Sequence, residues 1–380
     1  VTYLNHGTVG VTPNRVRAVE REIRDAIERE PARFMLRELS AATFNSPGTP
    51  RPRLRAAADA VAAFVGGRGQ DLVFVDNTTT GINAVLRSFP LAPGDEVLVS
   101  DLVYGGVQKA AQFVCGERGA SVRTVSMPSP FSAASLADAF VQGAGPHTRL
   151  AIVDHISAES ALVFPVAEIA RRLKTRGVAV VVDGAHAPGS IPLDIPSLGV
   201  DWYVGNLHKW AWVPRSSGVL WAAPERQAGL HPTVMSWGLD GGLTAEFEAV
   251  GTRDPTSHLT APAALALFDE WGRTAVQQYN HTLAWTGAHL LAKRWGSAFD
   301  TPEDLIGTMA TITLPEAAGS TREAAQRLRD GLLFDDRIEV QMHAFRGRVC
   351  VRISAQIYND LTDIERLADA VVRRVPALSA

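Results

Sequence analysis

Lys209 and Asp183 are the residue types from which the chemistry of this chain is read. Each ends a short apolar run: 178–182 leads into Asp183-Gly184-Ala185-His186, and Trp202-Tyr203-Val204-Gly205 leads into Asn206-Leu207-His208-Lys209. Unbroken apolar runs of this length read as buried strands of a parallel sheet, whose carboxyl ends deliver polar residues to a crevice. A lysine amine and a carboxylate meeting there suit pyridoxal 5'-phosphate. The amine forms a Schiff base with the aldehyde, and the carboxylate keeps the pyridine nitrogen protonated so that the ring accepts electrons from the substrate carbon. An acid at a buried strand end is costly unless a cation meets it, and the pyridinium is such a cation. Once the substrate's amino group displaces Lys209, the freed amine is placed to remove or return the Cα proton.

Further stretches supply the other parts of such a site. Asn77-Thr78-Thr79-Thr80-Gly81 lies between a strand pattern at 72–75 and a helical run at 82–89, so N–H groups and hydroxyls at a helix start are offered to a phosphate. Taken alone, the same stretch reads as a Thr-rich N-cap. Tyr104 follows the strand pattern at 96–100, where an aromatic ring either lies flat on a cofactor ring or packs its own loop. Arg352 sits in Val349-Cys350-Val351-Arg352-Ile353-Ser354, whose apolar flanks imply a buried stem and a guanidinium able to take a carboxylate in a two-pronged hydrogen bond.

Four segments carry a family resemblance: Leu4-Asn5-His6-Gly7, the stretch from Asp183-Gly184-Ala185-His186 through Ala187-Pro188-Gly189, Gly205-Asn206-Leu207-His208-Lys209-Trp210, and Gly251-Thr252-Arg253-Asp254. The chain resembles the class V aminotransferases of pyridoxal-phosphate fold type I, and within them the isopenicillin N epimerase branch, over nearly its whole length. The resemblance implies the phosphate on Thr79 and Thr80, His208 beside the phosphate or the Schiff base, and Tyr104 at the ring. It also implies Arg352 on the substrate's α-carboxylate, and Asn5 and His6 at the substrate mouth. His186 would reach the phenolic oxygen or the substrate. Thr252 would reach the phosphate of a partner subunit, which implies a homodimer. Asp154-His155-Ile156-Ser157-Ala158-Glu159-Ser160-Ala161 departs from the family pattern, in which this turn offers an Asn, Ser or Thr to the phenolic oxygen before a Thr-Gly pair. Ser157 is the substitute candidate, and His155 reads equally well as a satisfied core histidine.

For the reaction, the expectation is attack at Cα of an amino acid or aminoacyl substrate in the manner of the epimerase, in secondary metabolism of the antibiotic type. Carbon–sulfur β-elimination from an S-substituted cysteine conjugate, and decarboxylation-coupled deamination of such a conjugate, are the alternatives. Epimerisation needs a second acid across from Lys209, whereas β-elimination needs only one face and a leaving group. A persulfide-forming desulfurase is disfavoured, because His343-Ala344-Phe345-Arg346-Gly347 holds no cysteine and Cys350 lies in an apolar strand. A silent binding or assembly scaffold is the non-enzyme alternative, and the intact Asp183 and Lys209 speak against it.

The elements that must position these residues follow from periodicity. Pro13-Asn14 opens a helix to about residue 30, an amphipathic stretch covers 32–39, Asn45-Ser46-Pro47-Gly48-Thr49-Pro50 is a breaker, and an Ala-rich helix covers 53–65. Strand patterns at 72–75, 96–100, 121–126, 150–154, 178–182, 202–205 and 218–222 alternate with helical ones, which predicts an α/β fold with a mostly parallel seven-stranded sheet flanked by helices. Beyond Gly251 a long helical pattern at 260–295, strands at 308–314, 338–342 and 349–354, and helices at 321–332 and 361–373 predict a smaller α+β C-terminal domain. The expected division is a large cofactor-binding domain over 16–255 and a small one made of 1–15 and 256–380.

A formal charge of −3, 46% hydrophobic and 20% charged residues, and no long basic run point away from nucleic acid and anionic membranes and toward a small amino-acid-like substrate. Two cysteines are too few for a disulfide framework or a cysteine metal cluster, so a reducing cytoplasm is expected and no metal site. No apolar run approaches the roughly 18 residues of a membrane span, and the first ten residues lack a signal-peptide pattern.

Overall fold

The computed structural model describes residues 1–41 and 51–375; the expected breaker at 45–50 lies outside the described residues. A short strand, β1 (Thr2–Tyr3), begins the chain and is followed by helix Asn14–Arg29. The large sheet then takes β2 (Leu72–Val75), β3 (Glu96–Ser100), β4 (Ser121–Val125), β5 (Thr148–Asp154), β6 (Ala179–Gly184), β7 (Trp202–Asn206) and β8 (Gly218–Ala222). Its order is β2-β8-β7-β6-β5-β3-β4, parallel from β7 to β4, with β8 antiparallel to both neighbours. The chain progresses one way from β3 to β4 and the other way from β5 to β7, so β3 and β5 flank the point where the order reverses. Open α/β sheets hold ligands beyond the carboxyl ends of the strands at such a point.

Side chains of the central strands alternate between two cores, which is why these runs are apolar throughout. Ala151, Val153, Val180 and Val182 pack with Val61, Leu136, Ile169 and Phe268 on one side, while Ile152, Val181 and Val204 pack with Ile82, Val85 and Val114 on the other. The smaller antiparallel sheet comes later. It contains β9 (Met309–Thr313), β11 (Gln341–Phe345) and β12 (Arg348–Ser354) in the order β11-β12-β9, backed by helices Arg273–Trp295, Arg322–Phe334 and Leu361–Arg374. Between them, β10 (Ile338–Glu339) pairs with β1 in parallel.

Several expectations are corrected. The pattern at 260–295 is two helices, Thr256–Glu270 and Arg273–Trp295, because Gly272 at φ +84° turns the chain between them. The first of these, expected with the small domain, sends Ala261, Leu265 and Phe268 into the core of the large sheet. The strand expected at 338–342 is divided: β10 serves the N-terminal arm and β11 joins the small sheet. Asp183 stands at the expected strand end, in the last rungs of β6, paired with Val204.

A buried ion pair braces the segment that leads to Gly251. Arg55 Nε donates to Glu248, Arg55 Nη1 donates to the Gly69 and Leu72 carbonyls at 2.8 and 3.0 Å, and Glu248 also accepts from Ser40. The N-terminal arm is braced by contact with the lysine turn. A Cβ on Gly10 would stand 2.4 Å from the His208 carbonyl oxygen and 2.6 Å from that of Lys209, and both neighbours are backbone. Gly10→Ala is therefore expected to destabilise the protein by about 1–3 kcal/mol, the range for overpacking, as measured by urea denaturation.

Candidate active site

The residue most constrained in the site is Lys209. Its peptide is held from three directions: His6 Nε2 bonds its carbonyl at 3.0 Å, Gly10 packs against it, and Gly189 at φ +88° leaves room for the Trp210 carbonyl, which a Cβ would meet at 2.5 Å. Asn206, three residues earlier, accepts the Thr78 N–H at 2.9 Å and so ties the lysine turn to the start of helix Thr78–Ser88. Lys209 is mostly buried, with Nζ 3.2 Å from His186 Nε2. Burial, then the Arg352 charge, push its pKa down to about 7 against the pull of Asp183.

Asp183 is 3% exposed, and its Oδ1 accepts the Ala185 N–H at 3.0 Å. Among the described residues it forms no ion pair, and burial raises its pKa. A buried carboxylate with no protein cation bonded to it fits the ring nitrogen of pyridoxal phosphate, which would bring that cation. His186 is 2% exposed, with Nδ1 buried and unbonded, and burial together with Lys209 and Arg352 holds its pKa well below the usual value, so it is neutral. At the helix start, Asn77 Oδ1 accepts the Thr80 N–H at 3.0 Å and Asn206 takes that of Thr78, while Thr79 stays exposed and Thr80 partly so. That end of an 11-residue helix fits a phosphate. His208, beside it in the lysine turn, directs Nδ1 to the Ser217 carbonyl at 2.7 Å, and burial lowers its pKa to about 4. Ser217 Oγ in turn meets Nδ1 of the buried His258 at 3.1 Å, a histidine absent from the sequence reading.

The other expected residues are placed unevenly. Tyr104 is half exposed at the start of helix Gly105–Glu117, after β3. Arg352 is buried, donating to the Ala158 carbonyl, to Thr8 Oγ1 at 2.6 Å and to Asn5 Oδ1 at 3.4 Å, with Nε left unbonded; burial lowers its pKa to about 10. Asn5 and His6 do not line an open mouth: both are buried. Asn5 Nδ2 bonds Glu339 at 2.7 Å, and His6 bonds Tyr358 and Gln356 besides Lys209, so they act through Arg352 and the lysine peptide. Ser157 is also corrected: its hydroxyl is fully buried and bonded to Ser160 and to the Leu162 N–H at 3.1 Å, which closes the turn. His155 bonds Tyr203 Oη at 2.8 Å, the satisfied core histidine. Thr252 is exposed.

The depressed amine has a consequence for the protein without cofactor. A lysine whose folded pKa lies below its unfolded value costs stability in full below about pH 7, and the cost fades as pH rises toward the unfolded value of 10.5. Apo Lys209→Met is therefore expected to exceed the apo wild type in stability near pH 6 by on the order of a few kcal/mol, with the difference closing as pH approaches about 10, as read from urea denaturation at each pH.

Comparison with known proteins agrees with this geometry. The family description Aminotransferase class-V matches residues 51–367. Over 98% of its length the chain is 32% identical to isopenicillin N epimerase of Streptomyces clavuligerus, covering 94% of that protein. It is 30% identical to a probable chloroplastic L-cysteine desulfhydrase of Arabidopsis thaliana, with 97% of this chain and 82% of the other covered. A solved complex of the cystine C-S lyase C-DES with cysteine persulfide has the same fold, at a TM-score of 0.77 and 23% identity over 97% of this chain and 96% of that one. With its α/β fold of type I and a site shaped for pyridoxal 5'-phosphate, the chain belongs to the class V aminotransferase family of enzymes.

Proposed function

We propose that this enzyme binds an amino acid by its α-carboxylate at Arg352 and removes the Cα proton with Lys209. The observation that carries the reading is the Lys209 amine beside His186, its pKa lowered to about 7 by burial and the Arg352 charge, so that a large share of it is neutral at physiological pH. Pyridoxal phosphate would be held by Asp183 at the ring nitrogen, His186 at the phenolic oxygen, Tyr104 at the ring face, and His208 with Thr79 and Thr80 at the phosphate. When bound, the cofactor supplies the electron sink for the substrate carbon. Neutral His186, 3.2 Å from Nζ, orients the amine without competing for its charge. Thr8 and Ala158 hold the Arg352 fork, leaving its unbonded Nε as the free donor for a carboxylate.

Two outcomes share that proton transfer. Epimerisation is supported by the 32% identical epimerase and fits a tailoring step in secondary metabolism. Carbon–sulfur β-elimination from cysteine or an S-substituted conjugate is supported by the desulfhydrase relatives. Decarboxylation-coupled deamination stands behind both, because a carboxylate clamped by Arg352 is held rather than released.

The active form is proposed to be a homodimer in which Thr252 reaches the partner's phosphate. Val234, Met235, Trp237 and Leu239, on the segment that precedes it, are exposed apolar residues of the kind a C₂ interface covers, Trp237 at 96%.

The test is incubation in deuterated water with a panel of L- and D-amino acids and S-alkyl cysteine conjugates, followed by mass spectrometry. Deuterium at Cα is expected, with inverted product for epimerisation or pyruvate and a thiol for elimination. Lys209→Ala should lose the exchange, and Arg352→Lys should keep it at a strongly raised KM, since an ammonium lacks the fork. No exchange with any member of the panel would end the reading. Trp237→Glu is expected to shift the protein toward monomer in sedimentation, and an unchanged dimer would exclude that segment from the interface.

A further inference from the structure

Asp154 closes β5 in register with Asp183 on β6. In parallel pairing, residues in register leave the sheet on the same face, and Ile152 and Val181, two residues before each, share one core. The two carboxyls are therefore neighbours, 2% and 3% exposed. Like charges that close and that dry are not both ionised. The surroundings decide which one gives way. Asp183 accepts the Ala185 N–H and feels Lys209, both of which favour its charged form. Burial and the Asp183 carboxylate raise the pKa of Asp154 well above the ordinary range, against the weaker pull of its own N–H and that of Tyr104, and its Oδ2 is buried with no donor. Among the described residues no cation bonds it.

We propose that Asp154 is the neutral, protonated partner of Asp183, a positioning residue whose O–H donates to the Asp183 carboxylate and keeps it ionised and aimed at the cofactor's ring nitrogen. One proton then gives the orphaned Asp154 Oδ2 a partner. The Tyr104 N–H also faces this carboxyl, so the same group links the ring-nitrogen partner to the ring-face residue. The inference rests on the reading of Asp183 as the cofactor's carboxylate.

The experiment uses apoprotein and pyridoxine 5'-phosphate, which has no aldehyde and cannot link to Lys209, with binding followed by fluorescence from neutral to mildly alkaline pH. Asp154→Asn keeps an N–H donor in nearly the same shape, whereas Asp154→Leu removes it at similar volume. Asn is expected to bind within about threefold of wild type. Leu is expected to bind about tenfold or more weakly, the loss of a hydrogen bond to a charged group, with the protonated-ring absorbance giving way at lower pH. Leu binding as wild type does, or Asn falling as far as Leu, would overturn the proposal. If the Leu variant does not fold, the infrared carbonyl stretch of a protonated carboxylic acid decides. It is expected in the apo wild type at neutral pH and in Asp183→Asn but not in Asp154→Asn, and its absence from the wild type overturns the proposal. Undiminished binding by Asp183→Asn would instead remove the reading on which the inference rests.

Discussion

Taking an amine, two carboxylates, an imidazole and a guanidinium out of water into one pocket is costly for each group alone, and the architecture around Lys209 follows from that cost. Burial pushes the lysine and histidine toward their neutral forms and the carboxylates toward theirs, so the pocket lowers its own charge before any ligand arrives. Such a pocket must be rigid, because water admitted by a small displacement would restore the ordinary ionisation states. Rigidity comes from backbone contacts: Gly10 and Gly189 let two other segments press directly on the Lys209-Trp210 peptide, and His6 bonds its carbonyl. The sheet contributes through Asn206, which fixes the lysine turn to the start of helix Thr78–Ser88.

The same contacts join the two sheets. His6 reaches from the lysine peptide to Tyr358 and Gln356 beyond β12, and Arg352 reaches back from β12 to Thr8 on the arm and to Ala158 after β5. The proposed carboxylate clamp and the proposed base therefore share one scaffold through the first ten residues. Their relative placement is set by the arm as well as by the loops between the sheets.

Much of this was legible in the sequence, and the reasons for the rest are physical. Asp183 and Lys209 declare themselves because a charged residue ending a buried apolar run has few bland explanations, and the strand patterns at 72–75, 96–100 and 218–222 match the structure. Asp154 carries the same signal, an acid after an apolar run, but its partnership depends on β5 lying beside β6 in a particular register, which no local pattern encodes. The hydroxyl of Ser157 looked available because residue type says nothing about whether a turn has already engaged it. Asn5 and His6 are near the site in space, as the family resemblance implied, yet they face partners more than 200 residues away in sequence, and only the folded chain separates a lining residue from a strut. The helix break at Gly272 was masked by strong helical patterns on both sides.

The pair of Arg55 and Glu248 bears on how such a chain can change over time. Replacing either one leaves a lone charge in a site only slightly open to solvent, the costliest intermediate, whereas an apolar pair of similar volume in both places is often tolerated. Drift at these two positions is thus confined to a narrow route. In descendants of this chain, residues 55 and 248 should be kept together or lost together, and a chain that has lost one should show a compensating change beside the other.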